Sequence, residues 1–158
     1  MIKVMFVCHG NICRSPMAEM ILKEMVRKRG ISDAFLIASS ATSSEEIYGN
    51  RGNPVYPPAR AILNQKGIPC EDHRAQRLKK SDYREYDWLI AMEQFNIRNM
   101  RPIIGGDPEQ KVCRLLDFTD APRDVADPWY SGDFETAYAD IERGCAAFLR
   151  HLEQEGLI

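Results

Sequence analysis

The chain has 158 residues, of which 44% are hydrophobic, and it carries 21 basic against 23 acidic side chains. This near-neutral balance argues against a nucleic-acid-binding protein that relies on a broad basic face, and no apolar run approaches the ~20 residues of a membrane-spanning helix. The five cysteines form no CxxC pair and no zinc-type spacing, which favours reduced thiols in the cytoplasm. The length fits one domain spanning residues 1–158.

The chain begins with a predicted strand, a short loop and a helix. The apolar, β-branched run Ile2–Val7 predicts a buried strand, and we expect no signal peptide because this strand starts at once. Ser15-Pro16 is a cap and first-turn pair that opens a predicted helix over Pro16–Arg29. Cys8 and the six residues His9–Arg14 lie between the strand and this pair.

The rest of the chain continues the alternation. Apolar runs predict further strands, and apolar residues three and four apart predict further helices. In chain order these are a strand at Ala34–Ala38, a helix at Pro58–Lys66, a helical turn at Ser81–Glu85, a strand at Asp87–Met92, a helix at Gln94–Arg101 that Pro102 ends, a strand at Val112–Leu116 and a helix at Phe134–Gln154. The segments Ser39–Pro58 and Phe118–Asp133 are predicted loops, and the first is long enough to form a wall of a substrate cleft.

Strands that alternate with helices predict an α/β fold. We expect a single-domain, doubly wound, four-stranded parallel sheet with helices on both faces. Ligands of such sheets bind beyond the carboxyl ends of the strands. Cys8 directly follows the first strand, so the sequence predicts that it lies at the ligand-binding edge.

Cys8 and Arg14 frame a loop that is suited to bind an anion. The N–H groups of a loop between a strand and a helix can converge on one point, where the helix dipole adds positive charge. This field favours a thiolate at Cys8, and the planar fork of Arg14 matches two phosphate oxygens. A buried core cysteine is the more frequent fate of a free thiol, but Gly10 and Ser15-Pro16 complete a strand–loop–helix pattern here. The loop therefore predicts a nucleophile at the base of an oxyanion cradle.

The segment Val7–Glu19, VCHGNICRSPMAE, resembles the signature of the low-molecular-weight protein tyrosine phosphatases. Asp127-Pro128-Trp129-Tyr130 resembles the second motif of that family, and the resemblance covers nearly the whole chain. It implies an enzyme without metal or other cofactor that hydrolyses phosphotyrosine proteins or aryl phosphates through a phosphocysteine on Cys8 and releases inorganic phosphate. Arg14 and a phosphate-binding loop would hold the phosphoryl group; that loop comprises His9, Gly10, Asn11, Ile12, Cys13 and Ser15.

The leaving group of such a reaction needs a proton from a carboxylic acid. Chain position alone does not distinguish Asp120, Asp124 and Asp127. The resemblance selects Asp127, since the family's general acid precedes a proline and two aromatic residues. Once ionised, Asp127 would act as the base toward water in the second step. Trp129 and Tyr130 would wall a deep aromatic slot that favours phosphotyrosine over the shorter phosphoserine.

Three further expectations concern supporting residues. By resemblance, Ser39 and His73 match a hydrogen-bond network around Asn11. The resemblance also implies that Cys13 protects an oxidised Cys8 by forming a reversible disulfide with it. The remaining cysteines are predicted to be buried small hydrophobic residues: Cys70, Cys113 and Cys145.

Four other functions remain to be weighed. A thiol-coupled arsenate reductase shares the fold and the cysteine–arginine loop, but it relays a disulfide through further cysteines, and only Cys70 lies near the expected region. Protein-arginine phosphatases carry threonine where Ile12 stands here. A phosphocysteine carrier of sugar transport requires neither Arg14 nor Asp127, and a phosphotyrosine-binding module would lack the nucleophile or the acid. The residues favour phosphotyrosine hydrolysis, with neither nucleic acid nor membrane as partner.

Overall fold

A computed structural model describes residues 1–158. The chain forms six strands and six helices, joined by loops and two short 3₁₀ turns. In chain order the elements are β1 (Ile2–Cys8), α1 (Arg14–Lys28), β2 (Phe35–Ala41), β3 (Ile47–Tyr48), β4 (Arg51–Gly52), α2 (Pro57–Gln65), α3 (Asp82–Glu85), β5 (Trp88–Ala91), α4 (Gln94–Ile104), β6 (Val112–Arg114), α5 (Pro128–Ser131) and α6 (Phe134–Gln154). None of the helices has the length and apolar composition needed to cross a membrane.

Four strands form one parallel sheet in the order β2-β1-β5-β6. In register, Val4 of β1 pairs with Ile37 of β2 and with Trp88 of β5. The chain passes from β1 to β2 on one side and from β5 to β6 on the other, so the strand order reverses between β1 and β5. Ligands of doubly wound sheets bind at this switch point, and β1 ends there with Cys8. The predicted fold class is confirmed.

Each face of the sheet has its own apolar core, because successive strand residues point to opposite faces. Val4 and Phe6 of β1 belong to a larger cluster with buried residues of α1, α2 and α6. Met5 and Val7 belong to a smaller cluster with residues of α3 and α4. Helices therefore cover both faces, as the sequence predicts.

Helix α1 connects the first core to the loop after β1. Its residues Met17, Met20 and Ile21 are buried, and it packs between the sheet and α6. Gly30 follows the helix with φ of 72°, a left-handed conformation that glycine adopts readily. A helix fixed by so much burial holds its N-terminus rigidly against the loop that carries Cys8.

The predicted loop Ser39–Pro58 is wrong in part. Strand β2 continues to Ala41, the hairpin of β3 and β4 follows, and α2 begins at Pro57. The hairpin turns at Gly49-Asn50, where Gly49 has φ of 64°. A glycine with positive φ permits a two-residue turn, and this local signal lies inside a segment that is polar overall.

Other predicted boundaries also differ from the structure. Pro102 does not end α4, which continues to Ile104; proline removes only one helical hydrogen bond there, and Ile104 is buried in the smaller core. Strand β6 is shorter than predicted, because Leu115–Phe118 form a 3₁₀ turn. The predicted loop Phe118–Asp133 contains the short helix α5.

Candidate active site

The loop after β1 surrounds the sulfur of Cys8 with donors. The backbone N–H of Asn11 donates to Sγ of Cys8 at 3.2 Å, and Oγ of Ser15 lies 3.0 Å from the same sulfur. Asn11 has φ of 60°, a left-handed conformation that asparagine tolerates better than most residues. Its side-chain amide donates to Oγ of Ser15 at 2.8 Å. The Ser15 hydroxyl is thereby free to donate its own hydrogen to the sulfur of Cys8.

The backbone of this loop is arranged to receive an anion. Carbonyl oxygens of the loop are bonded from outside, since Cys8, His9 and Ile12 accept from the amides of Thr42, Ser43 and Tyr56 at 3.0, 3.0 and 2.8 Å. Four amide N–H groups of the loop have no acceptor within the protein, namely those of His9, Gly10, Ile12 and Cys13. Free N–H groups at a helix N-terminus form an anion-binding concavity.

Arg14 lies buried at the start of α1 and is held by three acceptors. Its Nη1 donates to the carbonyl oxygen of Val125 at 3.0 Å and to Oε2 of Glu93 at 3.4 Å, and its Nη2 donates to Oε1 of Glu93 at 3.3 Å. Oδ2 of Asp127 lies 3.6 Å from Nη2. Burial acts to lower the pKa of Arg14, but Glu93, Cys8 and Asp127 raise it above its usual value. The guanidinium is therefore charged and oriented at the base of the loop.

Asp127 faces this arginine from the segment before α5. Its Oδ1 accepts from the backbone N–H of Trp129 at 3.0 Å, so Asp127 caps the short helix. Its backbone is extended, with φ −93° and ψ 106°, as Pro128 after it requires. With Oδ1 bonded, Oδ2 is the oxygen left near Arg14. The structure thus brings Cys8, Arg14 and Asp127 into one site.

A cleft of about 630 Å³ opens above Cys8, Arg14 and Asp127. Besides these and the loop His9–Cys13, it is lined by residues from three further segments: Glu45, Glu46, Glu93, Phe95, Trp129 and Tyr130. The Trp129 ring lies 5.0 Å from the ring of Tyr56, while Tyr130 is almost fully exposed. Glu45 pairs with Nε2 of His9 at 3.1 Å. No cluster of three or more His, Cys, Asp or Glu side chains is placed to hold a metal ion.

Ser39 and His73 lie behind the loop in one chain of polar contacts. Nε2 of His73 lies 3.1 Å from Oδ1 of Asn11, and Nδ1 of His73 lies 3.7 Å from Oε1 of Glu19. The hydroxyl of Ser39 donates to the same Glu19 oxygen at 2.6 Å. Ser39 therefore reaches Asn11 through Glu19 and His73, and the amide N–H of Gln76 donates to Oδ1 of Asn11 at 3.0 Å.

Sequence reasoning missed Glu19, Gln76 and Glu93. Glu19 is a charged residue on the buried face of α1, and a glutamate within an apolar helix face is a signal for a buried polar partner. Glu93 follows β5 at the same sheet edge as Cys8, a position that the strand-end rule indicates. Gln76 acts through its backbone, and no side-chain pattern indicates such a contact.

The cysteines are all free thiols. Burial, together with the neighbouring Cys8, raises the pKa of Cys13 to about 12, so Cys13 is protonated at neutral pH. Cys145 is buried in the larger core, as predicted, whereas Cys70 and Cys113 are only partly buried against it.

Comparison with known proteins agrees with the geometry. The sequence model of the family "Low molecular weight phosphotyrosine protein phosphatase" matches residues 3–157. The low molecular weight protein-tyrosine-phosphatase YfkJ of Bacillus subtilis is 35% identical, over 98% of both chains. The human low molecular weight phosphotyrosine protein phosphatase is 35% identical over 92% of both chains.

Solved structures show the same relationship. The crystal structure of YfkJ from Bacillus subtilis superimposes with a TM-score of 0.91 at 34% identity, covering 98% of this chain and 96% of that one. The low molecular weight protein tyrosine phosphatase SP-PTP from Streptococcus pyogenes gives a TM-score of 0.84 at 34% identity, covering 96% and 93%. The chain belongs to the low-molecular-weight phosphotyrosine protein phosphatase family.

Proposed function

We propose that this phosphatase hydrolyses phosphotyrosine in proteins through a phosphocysteine on Cys8, with Arg14 binding the phosphoryl group and Asp127 as general acid and base. One observation carries the proposal: the sulfur of Cys8, the fork of Arg14 and Oδ2 of Asp127 meet in a single cleft. Family membership supports the reaction, and the geometry supports the assignment of roles to these residues.

In the first step the Cys8 thiolate attacks phosphorus in line with the ester oxygen of tyrosine. Charge spreads over the three equatorial oxygens of the transferring group. The free N–H groups of the loop and Arg14 stabilise this charge, and they are in position before the reaction begins. The S–P bond forms and the P–O bond to tyrosine breaks. Protonated Asp127 donates its proton to the leaving oxygen, which departs as neutral tyrosine.

In the second step a water molecule attacks the phosphocysteine. Asp127, now a carboxylate, accepts a proton from that water as the O–P bond forms. The S–P bond breaks, inorganic phosphate leaves, and Cys8 returns to a thiolate. The hydroxyl of Ser15 and the backbone N–H of Asn11 stabilise the thiolate as leaving group, because both lie within hydrogen-bond distance of its sulfur.

The cleft walls support a long aromatic substrate side chain. Phe95, Trp129 and Tyr130 line the cleft, and the Trp129 ring packs against the ring of Tyr56. A phosphotyrosine ring between these side chains gains apolar and aromatic contact. A phosphoserine side chain is shorter and would make no contact with these aromatic walls when its phosphate lies at Cys8.

The setting of the reaction is also part of the proposal. Five free cysteines support a reducing compartment such as the cytoplasm. The near-neutral charge supports the prediction of no nucleic-acid partner. The absence of a membrane partner, a metal and other cofactors stays a prediction.

One assay tests the substrate class. Peptides carrying phosphotyrosine, phosphoserine or phosphoarginine are incubated with the protein in excess chelator, and arsenate reduction is followed in parallel with a thiol donor. We expect phosphate release from phosphotyrosine alone. Thiol-dependent arsenate reduction, or a preference for phosphoarginine, would replace the proposed substrate with one of the alternatives on this fold.

A further inference from the structure

Asp140 is a buried carboxylate of α6 outside the cleft, and its contacts lead to the segment that carries Asp127. Arg123 donates two hydrogen bonds to this carboxylate, from Nη1 to Oδ2 at 2.9 Å and from Nη2 to Oδ1 at 2.7 Å. The backbone N–H of Ala126 donates to Oδ2 at 3.0 Å. Arg143, one turn along the same helix, lies 3.3 Å from Oδ1. Three of the four contacts thus tie the last helix to residues 123–126.

Asp140 accepts these bonds as an anion. Burial acts to raise the pKa of Asp140, but the bonds from Arg123 and Ala126 and the nearby arginine charges lower it below its usual value. An ionised carboxylate makes stronger hydrogen bonds than a neutral group. The contact with Ala126 is therefore a firm attachment of that backbone.

Ala126 is the residue before Asp127, and consecutive Cα atoms are about 3.8 Å apart. Earlier in the segment, Oδ1 of Asp124 accepts from the backbone N–H of Gln94 at 2.9 Å and from Arg114 at 3.2 Å. Val125 donates its N–H to the carbonyl of Met92 at 2.9 Å, and its carbonyl accepts from Arg14. After Asp127, Pro128 has no N–H and the short α5 begins. Asp140 thus supplies the last attachment before the general acid.

We propose that Asp140 is a positioning residue for catalysis: it fixes the backbone at Ala126 and thereby sets the distance of Asp127 from the leaving oxygen. The inference rests on the proposed function, because it assumes that Asp127 is the general acid. Asp140 itself touches neither substrate nor Arg14. Without its carboxylate, the amide of Ala126 loses its charged acceptor, Arg123 keeps only its bond to the Asp124 carbonyl at 2.8 Å, and the segment is no longer tied to α6.

The test uses aryl phosphates whose leaving phenols differ in pKa. The quantity measured is kcat/KM, which reports the first step, and its slope against the leaving-group pKa reports how well the leaving oxygen is protonated. In Asp140→Asn we expect a steeper negative slope, with about a tenfold loss for phenyl phosphate and less than about twofold for p-nitrophenyl phosphate. Activities are normalised to the folded fraction from circular dichroism.

Two further variants keep the test decisive. Arg123→Ala removes the side chain that donates two hydrogen bonds to Asp140, and it leaves α6 unchanged. This variant should also steepen the slope, and it can be measured even if Asp140→Asn fails to fold. Arg143→Ala removes a partner of the same carboxylate that does not belong to the segment. We expect its slope to equal that of the wild type.

A double variant separates the positioning role of Asp140 from the general-acid role of Asp127. In the Asp127→Ala background, Asp140→Asn should cause no further loss for phenyl phosphate, because the group it positions is gone. Equal losses for all leaving groups, or an undiminished loss in that background, would overturn the positioning role. If Asp127→Ala itself leaves the slope unchanged, the general-acid assignment falls instead, and that result is distinct from a failure at Asp140.

Discussion

Arg14 is oriented before any phosphate enters the cleft. Glu93 holds both terminal nitrogens of its guanidinium, and the carbonyl of Val125 fixes one of them. Side chains held in this way need no reorganisation when charge develops on the phosphoryl oxygens. The free loop amides act in the same way. At the scale of single residues, the site therefore consists of donors fixed in advance around the sulfur of Cys8.

Replacing Arg14 by lysine tests whether this fork matters beyond its charge. Arg14→Lys keeps one positive charge but cannot bind two phosphate oxygens and Glu93 at once. We expect kcat/KM for phosphotyrosine peptides to fall about 100-fold or more, and Arg14→Ala to abolish turnover, while circular dichroism shows an intact fold for both. A loss of less than about threefold in Arg14→Lys would show that point charge alone suffices.

Cys13 should protect the enzyme against peroxide. The sulfenic acid of an oxidised Cys8 would condense with the Cys13 thiol to give a disulfide and water. We expect wild-type activity to return on adding dithiothreitol after a peroxide pulse, and Cys13→Ser to lose this recovery. Cys113→Ser, which changes a cysteine elsewhere, serves as control. Equal recovery in all three proteins would remove the protective role of Cys13.

The residues proposed to carry out the reaction were easier to predict than those that orient them. Cys8 and Arg14 share one loop, so their proximity follows from sequence spacing. Glu93 meets Arg14 across 79 positions, and Glu19 meets Ser39 and His73 inside the fold. Such contacts depend on how the strands are ordered, which a single sequence does not display.

At the scale of elements, Glu45 and Glu46 form one wall of the cleft and directly precede the hairpin of β3 and β4. Asn53 follows the hairpin, and its side-chain amide donates to Oε2 of Glu46, a cleft-lining residue, at 2.7 Å. Its backbone accepts from the amide of Ala75 at 2.9 Å. Gly52 also approaches Ala75, so closely that a Cβ on Gly52 would lie 1.9 Å from the carbonyl oxygen of Ala75. The wall is fixed by this backbone contact.

Gly52→Ala should therefore displace the wall. The added methyl must push the hairpin away from Ala75, at a cost of about 1–3 kcal/mol in the free energy of unfolding. We expect a lower midpoint in urea and a higher KM for phosphotyrosine peptides. Gly144→Ala is the matched control, because its Cβ would crowd Leu115 in the core at 2.5 Å. The control should lose stability with an unchanged KM. An unchanged KM in Gly52→Ala as well would show that the hairpin does not contribute to substrate binding.

Elements with a strong periodic pattern were predicted well, and those determined by tertiary packing were not. β1 and α6 have long apolar patterns, and their predicted and observed bounds agree within a residue. The hairpin is only two residues per strand, and its position depends on the contact of Gly52 with Ala75. Helix α4 passes Pro102 because Ile104 packs in the smaller core. Local sequence rules do not include such packing.

At the scale of the whole molecule, the sheet separates two cores and presents its carboxyl edge to the substrate. Helix α6 closes the larger core and also binds, through Asp140, the segment before Asp127. Folding of the last helix and assembly of the active site are thus linked. This linkage makes Asp140 a contributor to global stability as well.

The stability contribution of Asp140 should depend on pH. Its folded pKa lies below the usual value, so the folded state binds the proton less tightly than the unfolded state. The contribution is therefore present above about pH 4, the usual aspartate pKa, and is lost as the pH falls through the folded pKa. In urea denaturation, we expect the stability gap between wild type and Asp140→Asn to narrow between pH 5 and pH 3. A constant gap over that range would mean that the charge of Asp140 does not stabilise the fold.

The proposed mechanism requires that Cys8 carries the phosphoryl group of phosphotyrosine between the two steps. The most direct measurement mixes the protein with a phosphotyrosyl peptide, quenches the reaction in acid within one turnover, and locates protein-bound phosphate by fragmentation mass spectrometry of the segment Val4–Arg14, which also contains Cys13. We expect phosphate on Cys8 in the wild type, and neither adduct nor turnover in Cys8→Ser. Phosphate on another residue, or comparable turnover in Cys8→Ser, would contradict this mechanism.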